Sequence, residues 1–295
     1  MNNAANASAA PARLSRSGSG EPLLLLHAFT QTWHCWGGVI SELSNEFDML
    51  APTLPFHWGG PVGDRPLTVA AGADHLEALM NETGWETAHI AGNSLGGWIA
   101  LELARRGRAN SVTAIASAGL WQRGSRHADR LRLKFQLSAY LAPLSRGFAN
   151  PTLAAIGKAT TMRVLCHRPG LVAPDLAAIA LQSAGYCTAR DINAIWPTDT
   201  ALEMLDQITT PTTIVFSARD RVAPPSRFGA QLVTPSASRR VVMLPDVGHV
   251  PMLEAPGRVA AEIRRTATAA GDASGQNTSL ASSAREVTPS LGNAL

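Results

Sequence analysis

The apolar run Ala88-His89-Ile90-Ala91 passes directly into Gly92-Asn93-Ser94-Leu95-Gly96, and from there into the helical pattern Trp98-Ile99-Ala100-Leu101-Glu102-Leu103-Ala104. A chain that goes from strand to helix this abruptly has one very tight turn. Side chains two positions either side of the central serine would collide there, which accounts for glycine at both places. The turn leaves the Ser94 hydroxyl at an exposed apex, and a serine so placed suggests a nucleophile. The bland reading of the same string is an ordinary strand-to-helix turn with a capping serine. A GxSxG string is weak on its own. A serine nucleophile also needs an imidazole to take its proton, an acid to orient that imidazole, and amide donors for the developing oxyanion.

Candidates for each follow along the chain. The acid is Asp220, which comes after the short apolar run Thr213-Ile214-Val215-Phe216-Ser217 and opens a polar turn that continues to Pro224. The base is His249, in Asp246-Val247-Gly248-His249-Val250-Pro251, just past the strand-like run Arg240-Val241-Val242-Met243-Leu244. Both fall on loops after strands, and the order Ser, Asp, His separates this arrangement from other serine hydrolase folds. Rival acids are poorer. Asp246 reads as a turn former, and the strand at 113–117 ends in Ala118-Gly119-Leu120 without a carboxylate. The loop for the oxyanion follows Pro22-Leu23-Leu24-Leu25-Leu26 and runs through His27-Ala28-Phe29-Thr30, so the backbone amides of Phe29 and Leu95 are the expected donors.

The organisation is legible in the alternation of periods. Strand patterns occur near 22–27, 47–52, 87–93, 111–117, 212–217 and 239–244, with helical patterns at 34–45, 68–83, 95–107, 226–233 and 253–268. Strand and helix in turn imply an α/β fold with a mostly parallel sheet flanked by helices. Residues 121–198 break the rhythm with several helical patterns and no strand, which reads as a helical cap inserted between two parts of the core, 21–120 and 199–265. Residues 1–20 are small and polar, and 266–295 are rich in Ala, Ser, Thr, Gly and Asn, so both ends read as disordered.

These residues resemble the α/β-hydrolase superfamily over roughly residues 12–268: an HGxx-like loop at His27, the elbow at Ser94, an acid followed by proline at Asp220, and a GHxxxxExP-like stretch from Gly248 to Pro256. The resemblance implies a sheet with catalytic loops at the carboxyl ends of its strands and a helical cap over the site. It also has departures. Ala28 stands where the family usually has glycine. Thr53-Leu54-Pro55-Phe56-His57-Trp58-Gly59 lacks the acid and the first glycine of the matching stretch. The short lead before the first strand implies that amino-terminal edge strands are missing. Ser94 replaces the aspartate nucleophile of haloalkane dehalogenases and epoxide hydrolases, which disfavours both chemistries.

The expected function is therefore a serine hydrolase that cleaves carboxylic esters of small to medium apolar substrates through an acyl-enzyme. Trp33, Trp98, Trp121 and Trp196 are the candidate substrate contacts. A carbon-carbon bond hydrolase of the ring-cleavage-product type is the alternative, because GNSxGG resembles that elbow, although Val250 replaces the usual tryptophan after the histidine. A ligand-binding or receptor protein on the same fold is the reading of a different class. No cofactor is expected, and His34, His57, His127 and His167 show no metal-binding spacing. Cys35, Cys166 and Cys187 form an odd set without CxxC spacing, which suits reduced thiols and a cytoplasmic protein. With a net charge of +3, and with Arg123, Arg126, Arg130, Arg132 and Lys134 at helical spacing, the basic residues read as a solvated face and imply no nucleic-acid partner. No run of apolar residues is long enough to span a membrane. No feature of the sequence bears on oligomeric state.

Overall fold

Leu23 to Leu26 are all fully buried, and they alternate between two separate cores. That is the burial of a strand covered by helices on both faces, and it is why the run is continuously apolar rather than alternating. The computed structural model describes residues 12–62, 66–146, 151–184, 186–196 and 200–285. Within them the strand is β2 (Glu21–Leu26) of a sheet that also holds β1 (Leu14–Ser17), β3 (Phe47–Pro52), β4 (Ala88–Asn93), β5 (Ala109–Ile115), β6 (Thr212–Ser217) and β7 (Arg239–Leu244). The order is β1-β3-β2-β4-β5-β6-β7. β1 is antiparallel to β3, and every other pair is parallel.

α1 (Gly37–Leu43) and α9 (Pro256–Arg285) pack on one face, over a core that includes Leu23, Leu25, Val39, Leu43 and Ile263. α2 (Val69–Thr83) and α3 (Leu95–Arg105) pack on the other, with Leu24, Leu26, Leu76 and Ile99. Between β5 and β6 the chain inserts α4 (Arg126–Arg146), α5 (Pro151–Leu165), α6 (Pro174–Ala184), α7 (Ala189–Ile195) and the short α8 (Ala201–Met204). α4 is amphipathic. Ala128 and Leu131 are buried while Arg126, Arg130 and Lys134 are exposed, and Asn193 of α7 accepts hydrogen bonds from Arg132 and Gln136.

The order of the sheet decides where a site can form. The chain goes from β2 to β3 on one side and then crosses back to β4 on the other, so the direction of winding reverses between β2 and β4. Loops leaving the carboxyl ends of strands on either side of such a reversal diverge and leave a crevice. Leu26 pairs with Gly92, so the loop carrying Phe29 and the turn carrying Ser94 leave the sheet side by side.

The structure corrects four expectations. β1 lies within the stretch read as disordered and supplies an amino-terminal edge strand. It is short and polar, and Arg16 reaches across to Asp48. Residues 226–233 form successive turns instead of a helix, broken by Gly229 at φ 84°. α9 continues past 266 to Arg285, where alanine-rich composition supports helix even though few residues are apolar. The remainder of the expected tail, 286–295, and the first eleven residues lie outside the described residues.

Candidate active site

Ser94 sits between β4 and α3 with φ 52° and ψ −111°, a conformation that a non-glycine residue adopts only under constraint. Three backbone bonds supply it. The Ser94 N–H donates to the Ile115 carbonyl at 2.9 Å, and its own carbonyl accepts from Ala118 and Trp98 at 3.0 and 3.1 Å. A Cβ on Gly92 would stand 2.2 Å from the Gly96 carbonyl oxygen, and one on Gly96 would stand 2.3 Å from that of Leu26. Both glycines are therefore required by backbone contact, and Gly96 seats α3 directly on β2.

Asp220 follows β6 and His249 follows β7, so both reach the same end of the sheet. Asp220 Oδ1 accepts from the amides of Val222 and Ala223, both at 2.8 Å. Its Oδ2 accepts from His249 Nδ1 at 2.7 Å. An acceptor-only carboxylate fixes the proton on Nδ1 and leaves the Nε2 lone pair free. Asp220 and His249 are both about 95% buried or more, which keeps water from competing for that bond. Asn93, a residue the sequence reading passed over, donates from Nδ2 to the His249 carbonyl at 2.9 Å and to that of Ile115 at 3.0 Å. A polar side chain at the buried end of a strand was the available signal.

The Phe29 loop is held by two buried histidines. His27 Nδ1 donates to the Ala28 carbonyl at 2.8 Å, and Nε2 accepts from the Leu54 amide at 2.8 Å. That pattern requires a neutral ring, and burial, reinforced by His57, pushes its pKa well below the ordinary 6.5. Gln31 also donates to Ala28, and Thr30 takes φ 68°, so the loop turns at Thr30 with alanine tolerated at 28. His57 packs edge-on against His27 and Phe29 and donates to the Pro55 carbonyl at 3.0 Å. Burial lowers its pKa to about 4. Phe56, where the resembled stretch has glycine, takes φ 63°, the backbone region glycine would favour.

Ser94 and His249 line one cleft, with about 470 Å³ of free space counted out to its mouth. Its other walls are apolar: Phe29 and Leu95 near the turn, Ala118, Val222 and Ala223 from the strand ends, and Trp121, Leu131, Phe135, Ile192, Ile195 and Trp196 from the inserted segment. Of the four tryptophans singled out from sequence, Trp121 and Trp196 face the cleft, stacked at 5.4 Å. The other two do not line it. Trp98 is buried behind Trp121, and Trp33 stacks on His34 and donates to the Ala12 carbonyl. Among the described residues no group of three His, Cys, Asp or Glu side chains could hold a metal ion, and no helix is long and apolar enough to cross a membrane.

A mostly parallel sheet reversed at β2/β4, with Ser94, Asp220 and His249 brought to the carboxyl ends of its strands, is an α/β fold with a cleft at its topological switch point. The chain belongs to the Alpha/beta hydrolase family, whose profile matches residues 23–262. Over 198 residues it is 39% identical to the Mycobacterium tuberculosis protein named Epoxide hydrolase EphH, covering 63% of this chain and 89% of that one. Its fold is similar to that of a thermophilic esterase from Thermogutta terrifontis, with a TM-score of 0.70 and 22% identity over 87% of this chain and 93% of the other. It is likewise similar to the enol-lactonase from Burkholderia xenovorans LB400, with a TM-score of 0.68 and 18% identity over 86% and 95%. The protein is thus a hydrolase-family enzyme, and the low-identity structures bear on its fold alone.

Proposed function

We propose that this enzyme cleaves carboxylic esters with an apolar acyl group. Ser94 is the nucleophile, His249 the general base and acid, and Asp220 the residue that holds the imidazole in its working tautomer. The Ser94 oxygen attacks the carbonyl carbon as its proton passes to His249 Nε2. The alcohol leaves with that proton, and water then releases the acid by the same route in reverse. Backbone N–H groups of Phe29 and Leu95 receive the oxyanion, each such donor contributing about 3 to 4 kcal/mol in comparable sites. The inserted segment acts as the cap, since it supplies six of the cleft's lining residues. The observation that carries the reading is the 2.7 Å bond from His249 to an otherwise satisfied Asp220, in a cleft that His249 shares with Ser94.

The relative named as an epoxide hydrolase makes ring opening the competing reading. Chemistry disfavours it. Attack by a serine oxygen on an epoxide carbon gives a β-hydroxyalkyl ether, and no carbonyl remains for water to attack. Carbon-carbon hydrolysis is disfavoured differently, because the acids produced by ring cleavage carry a carboxylate and the described lining of the cleft offers no cationic side chain to receive one. The buried free thiols at Cys35, Cys166 and Cys187 support the cytoplasm as its place of action.

A panel of p-nitrophenyl esters of graded acyl length beside styrene oxide tests bond type. Ester turnover abolished in Ser94→Ala, with the fold retained and fluorophosphonate labelling confined to Ser94, is the expected result. Unchanged ester turnover in that variant, or epoxide hydrolysis without ester hydrolysis, refutes the reading.

A further inference from the structure

Glu254 is a buried carboxylate that the mechanism above does not use. It is 7% exposed, does not line the cleft, and accepts three backbone N–H donors from two separate parts of the chain. Oε1 accepts from Gly248 at 2.5 Å and from His167 at 3.0 Å, and Oε2 accepts from Arg168 at 2.7 Å. Gly248 precedes His249. His167 and Arg168 lie just past α5, inside the insertion. One carboxylate therefore ties the loop that carries the base to the inserted helices.

Two further contacts close the same seam. The Val250 N–H donates to the Leu165 carbonyl at 3.0 Å, so one neighbour of His249 is bonded directly to the segment at the end of α5 and the other, Gly248, is joined to it through Glu254. A Cβ on Gly248 would stand 2.7 Å from both the His167 nitrogen and the Leu165 oxygen, so the two backbones touch with no room for a side chain. On the opposite side Asn93 holds the His249 carbonyl. The base is thus mounted between the elbow and the insertion, and half of its mount belongs to the insertion.

We infer that Glu254 is a positioning residue that makes the orientation of His249 depend on docking of the inserted segment 165–168. This rests on the reading of His249 as the general base. Charge-assisted bonds from amide N–H donors to a carboxylate are the stronger kind. Replacing the carboxylate by an amide of the same shape keeps the packing but turns an N–H donor toward an N–H donor. A small rotation of the imidazole follows, and misplacement of about 1 Å at a reacting group can cost 100-fold in rate.

The test compares Glu254→Gln with Gly248→Ala, whose new methyl wedges the two backbones apart. The control is Glu262→Gln, which removes a buried carboxylate on α9 paired with Arg240 and Arg265. Rates are expressed per active site titrated with fluorophosphonate, and Tm is measured alongside. In Glu254→Gln, kcat is expected to fall about 10- to 100-fold with KM within about twofold of the wild type. Gly248→Ala should behave likewise, while Glu262→Gln loses Tm and keeps kcat. If Glu254→Gln resembles the control, losing Tm at unchanged kcat per site, Glu254 is only a brace and the inference is overturned. If that variant is not recovered folded, Gly248→Ala decides on the same criterion. A wild type that neither hydrolyses esters nor takes up the label strikes down the serine-hydrolase reading itself, before any variant is made.

Discussion

At Asp220 every lone pair that matters has a designated partner. Oδ1 is consumed by two loop amides, so the side chain cannot rotate, and Oδ2 is left for His249 alone. Asp220→Asn should keep the loop but present an N–H to Nδ1, favouring the tautomer whose proton sits on Nε2, the wrong nitrogen for accepting the serine proton. A fall in kcat of about 10³- to 10⁴-fold with little change in KM is expected, and steady-state ester kinetics measure it. An effect below tenfold would mean that the carboxylate does not set the tautomer. At this scale the placement of Ser94, Asp220 and His249 at one end of the sheet was legible in the sequence, because each falls on a loop after a strand-like run. Asn93 and the mount of His249 were not, because a hydrogen bond across 156 positions leaves no local pattern.

At the scale of elements, the elbow depends on α3 lying against β2 with backbone touching backbone. Gly96→Ala puts a methyl 2.3 Å from the Leu26 oxygen. A helix displaced from its strand loses both packing and the placement of Leu95, so the variant should be less stable by about 1 to 3 kcal/mol, the range for overpacking a close contact. Thermal unfolding should show this as a lower Tm, together with loss of ester turnover. Most elements were readable from their periods. The exceptions have identifiable causes: β1 is four residues long and exposed on alternate positions, the turns at 226–233 follow a pair of prolines, and α9 outlasts its apolar pattern. Trp33 and Trp98 show the same limit for the site, since an aromatic residue near a motif reads alike whether it faces the cleft or the core.

At the scale of the whole molecule, two neutral histidines fasten the loop after β2 to the loop after β3, and this makes folding sensitive to acid. His57 has an ordinary pKa of 6.5 when unfolded and about 4 when folded. Because the folded value is the lower one, the unfolded chain binds a proton first. The contribution to stability is complete above pH 6.5 and is lost as the pH falls toward 4. The shift corresponds to roughly 3 kcal/mol in full and about 2 kcal/mol at pH 5, and His27 acts in the same direction. Urea unfolding should therefore give a lower free energy at pH 5 than at pH 7.5, and His57→Phe should shrink that difference. A difference unchanged in His57→Phe would show that the ring is not held neutral.

Short-range order along the chain was enough to specify the alternation of strand and helix, the glycine-flanked elbow at Ser94 and the succession Ser94, Asp220, His249. Each depends on sterics or burial between residues near one another in sequence. Convergence is a different matter. The reversal of winding between β2 and β4, the choice of Trp121 and Trp196 over Trp33 and Trp98, and the grip of Glu254 on the segment after α5 arise only when distant elements pack. Their energies come from contacts that the unfolded chain does not have, so the folded arrangement alone selects them.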